Sequence, residues 1–421
     1  MLPTAALATI LLASGQAPPA PLPAAATDRY EVSLLTVGHG DAVWERFGHN
    51  AIRIRDRLTG QDLAWNWGLF NFADPDFIPR FLRGRMLYSM GPAETGAFLD
   101  AYRTAGRSVY SNELLLSGAE AAELDRLVRE NFEPGNRDYL YHYFEDNCST
   151  RVRDMLDTVL GGILADAFAG AETGRSYRWH VRRLLGGMPG INHGLSVLIG
   201  PRGDAPRSEW DAMFIPMELM RSLEGFERPG GAAGRAALLG PREVLVESGR
   251  AAEPAEPPGF AAWWLVSGLG GSALLLAAGR RAAGGHRSSL RLLALSAAAW
   301  CAAAGLLGAL LLGLWFTDHT YGRWNVNILH LSPLALLPAA LLGAGSWRRG
   351  WERRRVGRAA AGLAAGIALL SAAGAVFELL TPFSQGNAEV LAVALPLNAA
   401  AALALREATR GGSAGGGPES R

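Results

Sequence analysis

Five apolar stretches close this chain and dictate most of what it can fold into. Residues 260–279, 292–316, 326–346, 359–380 and 388–405 are each long enough to cross a bilayer. They lack the polar face of a helix on the surface of a soluble bundle, so an all-helical globular domain fits them poorly. Arginines set the orientation: Arg280, Arg281, Arg287 and Arg291 fill the first connection, Arg348, Arg349, Arg353, Arg354, Arg355 and Arg358 the third, and Arg406 and Arg410 follow the last stretch. The second and fourth connections hold only Arg323. The positive-inside rule therefore places the arginine-rich connections in the cytoplasm and everything before Gly259 on the other side.

The opposite end of the chain agrees. Residues 1–26 have a short apolar core, small residues and a Pro/Ala spacer, as in a secretory signal peptide, although an uncleaved anchor is the alternative because no positive charge precedes the core. Residues 27–246 alternate strand-like runs such as "EVSLLTV", "AIRIR" and "LAWNW" with helical ones, and Ser117 and Glu120 form a capping box, so an α+β extracytoplasmic domain is expected. Residues 247–258 read as a solvated linker, 259–406 as an all-α membrane domain of about five transmembrane helices, and 407–421 as a disordered cytoplasmic tail. Hydrophobic residues make up 49% of the chain, as membrane spans require, and a net charge of +1 without a basic cluster in the soluble half gives no support for a nucleic-acid partner.

Of two cysteines, Cys301 lies inside an apolar run, far from Cys148, so both are expected to be free thiols. In "EDNCSTRVRDML" Cys148 opens a helix whose apolar stripe continues through Val152, Met155 and Val159. Asp146 or Asn147 can cap the first turn, whose free N–H groups and dipole would favour a thiolate at position 148. A small buried hydrophobe is the plain alternative. A base is needed, and the soluble domain offers His39, His49, His142, His180 and His193. His49 precedes an alternating strand, "HNAIRIR", in which Ile52 and Ile54 face one way and His49, Arg53 and Arg55 the other, a rigid mount for a base. Asn66 in "WNWG" is the candidate third, orienting group, with Asp62 and His39 behind it.

These windows together are similar to something known. "FGHNAIRI", "WNWGLFNFADPDF", "YHYFEDNCSTRVRDML" and "GLSVLIGPRGDAPRSEWDAMFIPMEL" resemble the periplasmic domain of the Lnb-type lipoprotein N-acyltransferases. That family joins a permuted papain-like (NlpC-like) thiol domain to a small multi-spanning membrane domain. The resemblance implies Cys148 as nucleophile and His49 as its base, in the His-before-Cys order of a permuted core. It extends to the outer loop "DHTYGRWNVNILHLSPL", where His319, Asn325 and Asn327 match the family pattern and are expected to bind substrate; an interfacial loop with an aromatic belt is the plainer reading. Asn147 is expected to assist the first-turn amides in holding an oxyanion. Arg151 and Arg153 could touch a phospholipid headgroup, although pairing with Asp154 or Asp157 on their own helix competes. Asp204 and Trp210 are as suited to bracing as to substrate, and Glu378 is expected to snorkel to water from the outer end of its span.

The implied substrates are a membrane phospholipid as acyl donor and a diacylglyceryl lipoprotein, with its N-terminal cysteine amine, as acceptor, at the bacterial inner membrane. The acyl chain would travel through a Cys148 thioester. No cofactor or metal is expected. A membrane-anchored papain-like cysteine hydrolase acting on peptidoglycan would use the same Cys and His, and a non-enzymatic envelope assembly or sensor protein is the third possibility.

Overall fold

Period-two alternation builds a sheet with two buried faces. The computed structural model describes residues 29–229, 234–259, 261–345, 351–383 and 385–411, so the expected signal peptide and the chain beyond 411 lie outside it. Six strands, β1 (Tyr30–Val37), β2 (His49–Asp56), β3 (Asp62–Leu69), β4 (Met86–Glu94), β5 (Val109–Leu114) and β6 (Asp138–Tyr141), join a closing strand, Leu239–Val246. Their order is closing strand, β5, β1, β2, β3, β4, β6, and every neighbouring pair is antiparallel.

Four helices accompany the strands in the first part of the chain: α1 (Phe77–Arg83), α2 (Thr95–Thr104), α3 (Gly118–Phe132) and α4 (Cys148–Val159). On one sheet face Val32, Leu34, Ile52, Ile54, Trp65 and Trp67 form the main core with Leu124 and Val128 of α3 and Val152 and Leu156 of α4. On the other, Leu35, Val37, Ala51 and Ala64 pack with Phe98 of α2 and with Val109 and Val246. α3 opens with the expected box, Ser117 Oγ accepting from the Glu120 amide and Glu120 accepting from the Ser117 amide.

The segment expected to be a solvated linker is pinned instead. Ser248 bonds Ser108, Arg250 makes a paired contact with Asp41, and the buried Glu253 carboxylate meets Arg183 at 3.2 Å. Partners from distant parts of the chain hold it, and a composition-based linker assignment cannot register them.

Beyond it, among the described residues, lie five helices long and apolar enough to cross a membrane: Ala262–Ala283, Arg287–Leu314, Asn327–Ala344, Arg355–Leu380 and Ala388–Arg410. The third is interrupted, with a short helix at Asn327–His330, a 3₁₀ turn at Pro333–Ala335 and a helix from Leu336 to Gly345. Pro333 has no N–H to continue the ladder, and Ser332 caps the restart through the Leu334 amide. Small residues let the spans approach closely: a Cβ on Gly308 would run into the Leu331 carbonyl, and one on Gly268 into that of Ala392.

Candidate active site

The chain reaches β2 through a 3₁₀ turn at Val43–Phe47 and then Gly48, whose φ of +82° is open to glycine and strained for other residues. A Cβ there would also stand 2.8 Å from the Val37 carbonyl oxygen. Gly48 therefore delivers His49 to the first position of β2, opposite Val37.

His49 points to the α2 face, where Tyr102 stacks on it at 6.3 Å between ring centroids. Asn66, buried on β3 opposite Ala51, shares that face. Its Nδ2 donates to the Ala64 carbonyl at 3.0 Å, which turns Oδ1 toward His49 Nε2, also at 3.0 Å. An amide oxygen only accepts, so Nε2 carries the proton and Nδ1 keeps a free lone pair.

α4 brings Cys148 to the same end of the sheet. Asn147 is its cap, accepting from the Ser149 and Thr150 amides at 2.8 and 3.0 Å, while Asp146 pairs with Arg151. Ser149 Oγ then donates to Asn50 Oδ1 at 2.9 Å, tying the residue after the cysteine to the residue after the histidine. The backbone N–H groups of Asn50 and Cys148 face the sulfur, and that of Ser149, bonded to the cap, lies near it. Gly68, with φ +86° next to a bulge between β3 and β4, lies beside it: a Cβ at 68 would be in ordinary contact with Tyr141 and, at 3.9 Å, with the Cβ of Cys148.

Electrostatics set the resting protonation state. Burial drives the His49 pKa down to about 4, with the Arg107 charge adding to the effect and the Asn66 bond opposing it. Burial also raises the Cys148 pKa above its ordinary 9.0, against the three amides and Arg107. The helix start does favour a thiolate, as expected, but desolvation outweighs it. Near neutral pH Cys148 is therefore a thiol and His49 a neutral imidazole. Arg107 had no sequence signal: it lies in a loop after α2, buried, donating to the Gly38 carbonyl and stacked 5.1 Å from the Tyr102 ring that also touches His49.

Several expected site residues have other partners. Asn147 spends both amide hydrogens on the Tyr143 and Phe214 carbonyls at 3.0 Å, so its side chain has none for an oxyanion. Ser149 and Thr150 amides are committed to the cap, which leaves the Cys148 amide in the first turn. Arg151 pairs with Asp146 and lies 4.1 Å over the Tyr139 ring, and Arg153 pairs with Asp154 and covers Trp210, so neither reaches toward a headgroup. Asp62 is held by Arg53 and Thr95, and His39 by the Ala251 carbonyl.

The outer loop also differs from expectation. Asn325 and Asn327 are buried, and their amides donate to the Val197 and Leu198 carbonyls at the end of the helix Pro189–Leu198. They fasten the membrane helices to the soluble domain rather than facing a substrate. His319 bonds the Phe81 carbonyl at 2.8 Å. Asp204 joins the same seam through Arg178 and the Gly386 amide, as do Arg182 and His193 through Glu389. Glu378 does not snorkel: it accepts from Asn387 at 3.1 Å and meets His330 at 3.2 Å inside the bundle.

Among the described residues no group of three or more His, Cys, Asp or Glu side chains is arranged to hold a metal ion. What the site offers is a thiol, a neutral base with a fixed tautomer and a helix-start amide, the parts of nucleophilic acyl chemistry. No curated protein and no solved structure matches this chain. A family model, the Lnb N-terminal periplasmic domain, matches residues 20–183, a stretch that holds His49, Asn66 and Cys148. Over that stretch, the sheet domain's own, the chain is similar to the Lnb N-terminal periplasmic domain.

Proposed function

We propose that this protein is a thiol acyltransferase of the bacterial inner membrane, with its sheet domain in the periplasm, that moves an acyl chain from a phospholipid to the N-terminal cysteine amine of a diacylglyceryl lipoprotein. What supports the reading is the Asn66–His49 bond together with the Ser149–Asn50 bond, which ties the residue after Cys148 to the residue after His49. A strand-borne base that precedes a helix-borne nucleophile in the chain suits a permuted papain-like core.

In the first half-reaction His49 Nδ1 takes the Cys148 proton as the sulfur attacks the glycerol ester carbonyl. The Cys148 amide faces the developing oxyanion. The C–O bond then breaks, the imidazolium returns the proton to the departing oxygen, and a lysophospholipid leaves a thioester behind. In the second, the lipoprotein amine attacks that thioester, His49 takes the amine proton, and collapse forms the amide and expels the thiolate. That proton restores the thiol, and the kinetics are ping-pong. Asn66 holds the tautomer throughout. Five spans fastened to the thiol domain confine it to the leaflet where both substrates reside, which raises their effective concentration.

The test is mass spectrometry of lipoprotein N-termini from cells that depend on this chain alone. The proposal expects N-acylated termini with wild type and free amines with Cys148→Ser. Free amines in both strains would reject it, and release of peptidoglycan fragments would favour a hydrolase.

A further inference from the structure

The segment leading into and through α1 is apolar where a soluble surface would be polar. Phe72, Ile78 and Leu82 are 58%, 59% and 63% exposed, and Leu69 and Phe81 are exposed beside them. An exposed apolar group of this kind on one segment marks an interaction surface. Its location identifies the partner. The Arg83 carbonyl accepts from the Asp318 amide at 2.8 Å, Arg85 pairs with Asp318 at 2.6 Å, and Phe81 packs on His319 at 6.0 Å. Asp318 and His319 directly follow a membrane-spanning helix, at the level where Trp315 and the exposed Trp324 pair at 5.0 Å. Aromatic side chains of that kind mark the outer membrane–water interface, so α1 is fastened at headgroup depth with its apolar side chains available to lipid.

From there a continuous aromatic strip runs to the thiol. Phe77 and Phe72 pack on Phe70 at 5.8 and 4.8 Å, Phe70 on Tyr88 at 5.0 Å, and Tyr88 on Tyr141 at 4.5 Å. Tyr141 and Cys148 both line the space above Gly68. Phe70 through Phe77 need not be aromatic to hold the sheet together, since the main core lies under α3 and α4.

Resting on the acyl-transfer reading, we infer that this strip is the binding track for one acyl chain of a membrane glycerolipid, entering between α1 and the leaflet and lying along Phe72, Phe70 and Tyr88 so that its ester carbonyl arrives at Cys148.

The test uses the full-length Cys148→Ala protein in phosphatidylethanolamine and phosphatidylglycerol vesicles doped with a phospholipid that carries a diazirine on its acyl chain. After illumination, cross-links in peptides containing residues 70–82 and Tyr88 are expected. Cross-links confined to the spanning helices would overturn the inference. In the Cys148-containing protein, Phe72→Ser with Ile78→Ser should lower the ratio of Cys148 acylation by a long-chain phospholipid to acylation by p-nitrophenyl acetate about tenfold, the loss of roughly one buried aromatic contact. An unchanged ratio would overturn it. Cross-linking of the strip in a protein whose Cys148 no phospholipid acylates would instead remove the acyl-transfer reading and leave the lipid track standing.

Discussion

The neutral resting states of Cys148 and His49 make a kinetic prediction that separates this site from an ion-paired thiolate. Burial holds the Cys148 pKa above 9.0 and the His49 pKa near 4. At pH 7 less than about 1% of Cys148 is then thiolate, and each further pH unit raises that fraction about tenfold until the thiol titrates. The rate of alkylation by iodoacetamide, measured by intact mass on protein in detergent, should accordingly climb about a hundredfold between pH 6 and pH 8. A thiolate paired with imidazolium would already be ionised across that range and would react at a nearly constant rate. The sign for His49 runs the same way: its folded pKa lies below the ordinary 6.5, so the imidazole stays neutral, and competent as a base, down to about pH 4. The acid limb of acyl transfer should therefore fall near pH 4 and not near 6.5. A flat alkylation profile from pH 6 to 8, or one that becomes steep only in His49→Ala, would refute the neutral resting states and with them the claim that desolvation outweighs the helix start.

Other outcomes follow from single positions. Gly48→Ala meets both a positive φ and the Val37 carbonyl, so it should destabilise the folded protein by about 1–3 kcal/mol and disorder His49, read as a lower melting temperature together with lost Cys148 acylation. Asn66→Ala frees the His49 tautomer and should cut the acylation rate at least about tenfold while leaving the iodoacetamide reaction of Cys148 within about twofold, since it removes orientation and not the thiol. Asn327→Ala removes one of the two side-chain donors to the buried Val197 carbonyl, Asn325 keeping the other, and takes from the buried Asn387 amide one of its acceptors. It should cost about 1–3 kcal/mol of stability in detergent with little change in KM for phospholipid, whereas a substrate-binding role would raise KM at constant stability.

Much of the architecture was legible because it depends on local pattern. An apolar run of some twenty residues has few interpretations, and five helices long and apolar enough to cross a membrane lie where those runs fall. The helix start at Cys148 was readable from its capping residues, and Asn66 could be placed because it sits on the strand that follows His49. What escaped was set by partners far along the chain. Asn147 gives one of its amide hydrogens to the carbonyl of the distant Phe214, and Asn325 and Asn327 reach back to Val197, well over a hundred residues away. Their residue types suit substrate binding and bracing equally, and only the fold decides. Glu378 was misplaced for the same reason: a carboxylate near a span end can reach water, but here His330 and Asn387 supply its partners. Arg107 had no motif at all, since its effect on His49 and Cys148 arises from tertiary proximity.

The central claim is that Cys148 carries the acyl group between donor and acceptor. Purified protein incubated with a defined phospholipid and then weighed intact tests it most directly. A mass gain of one acyl chain at Cys148 is expected, removed by hydroxylamine and discharged on adding a diacylglyceryl-cysteine peptide, which becomes N-acylated. An N-acylated peptide formed equally well by Cys148→Ala protein, or a Cys148 that stays unmodified while wild-type protein turns over, would contradict it.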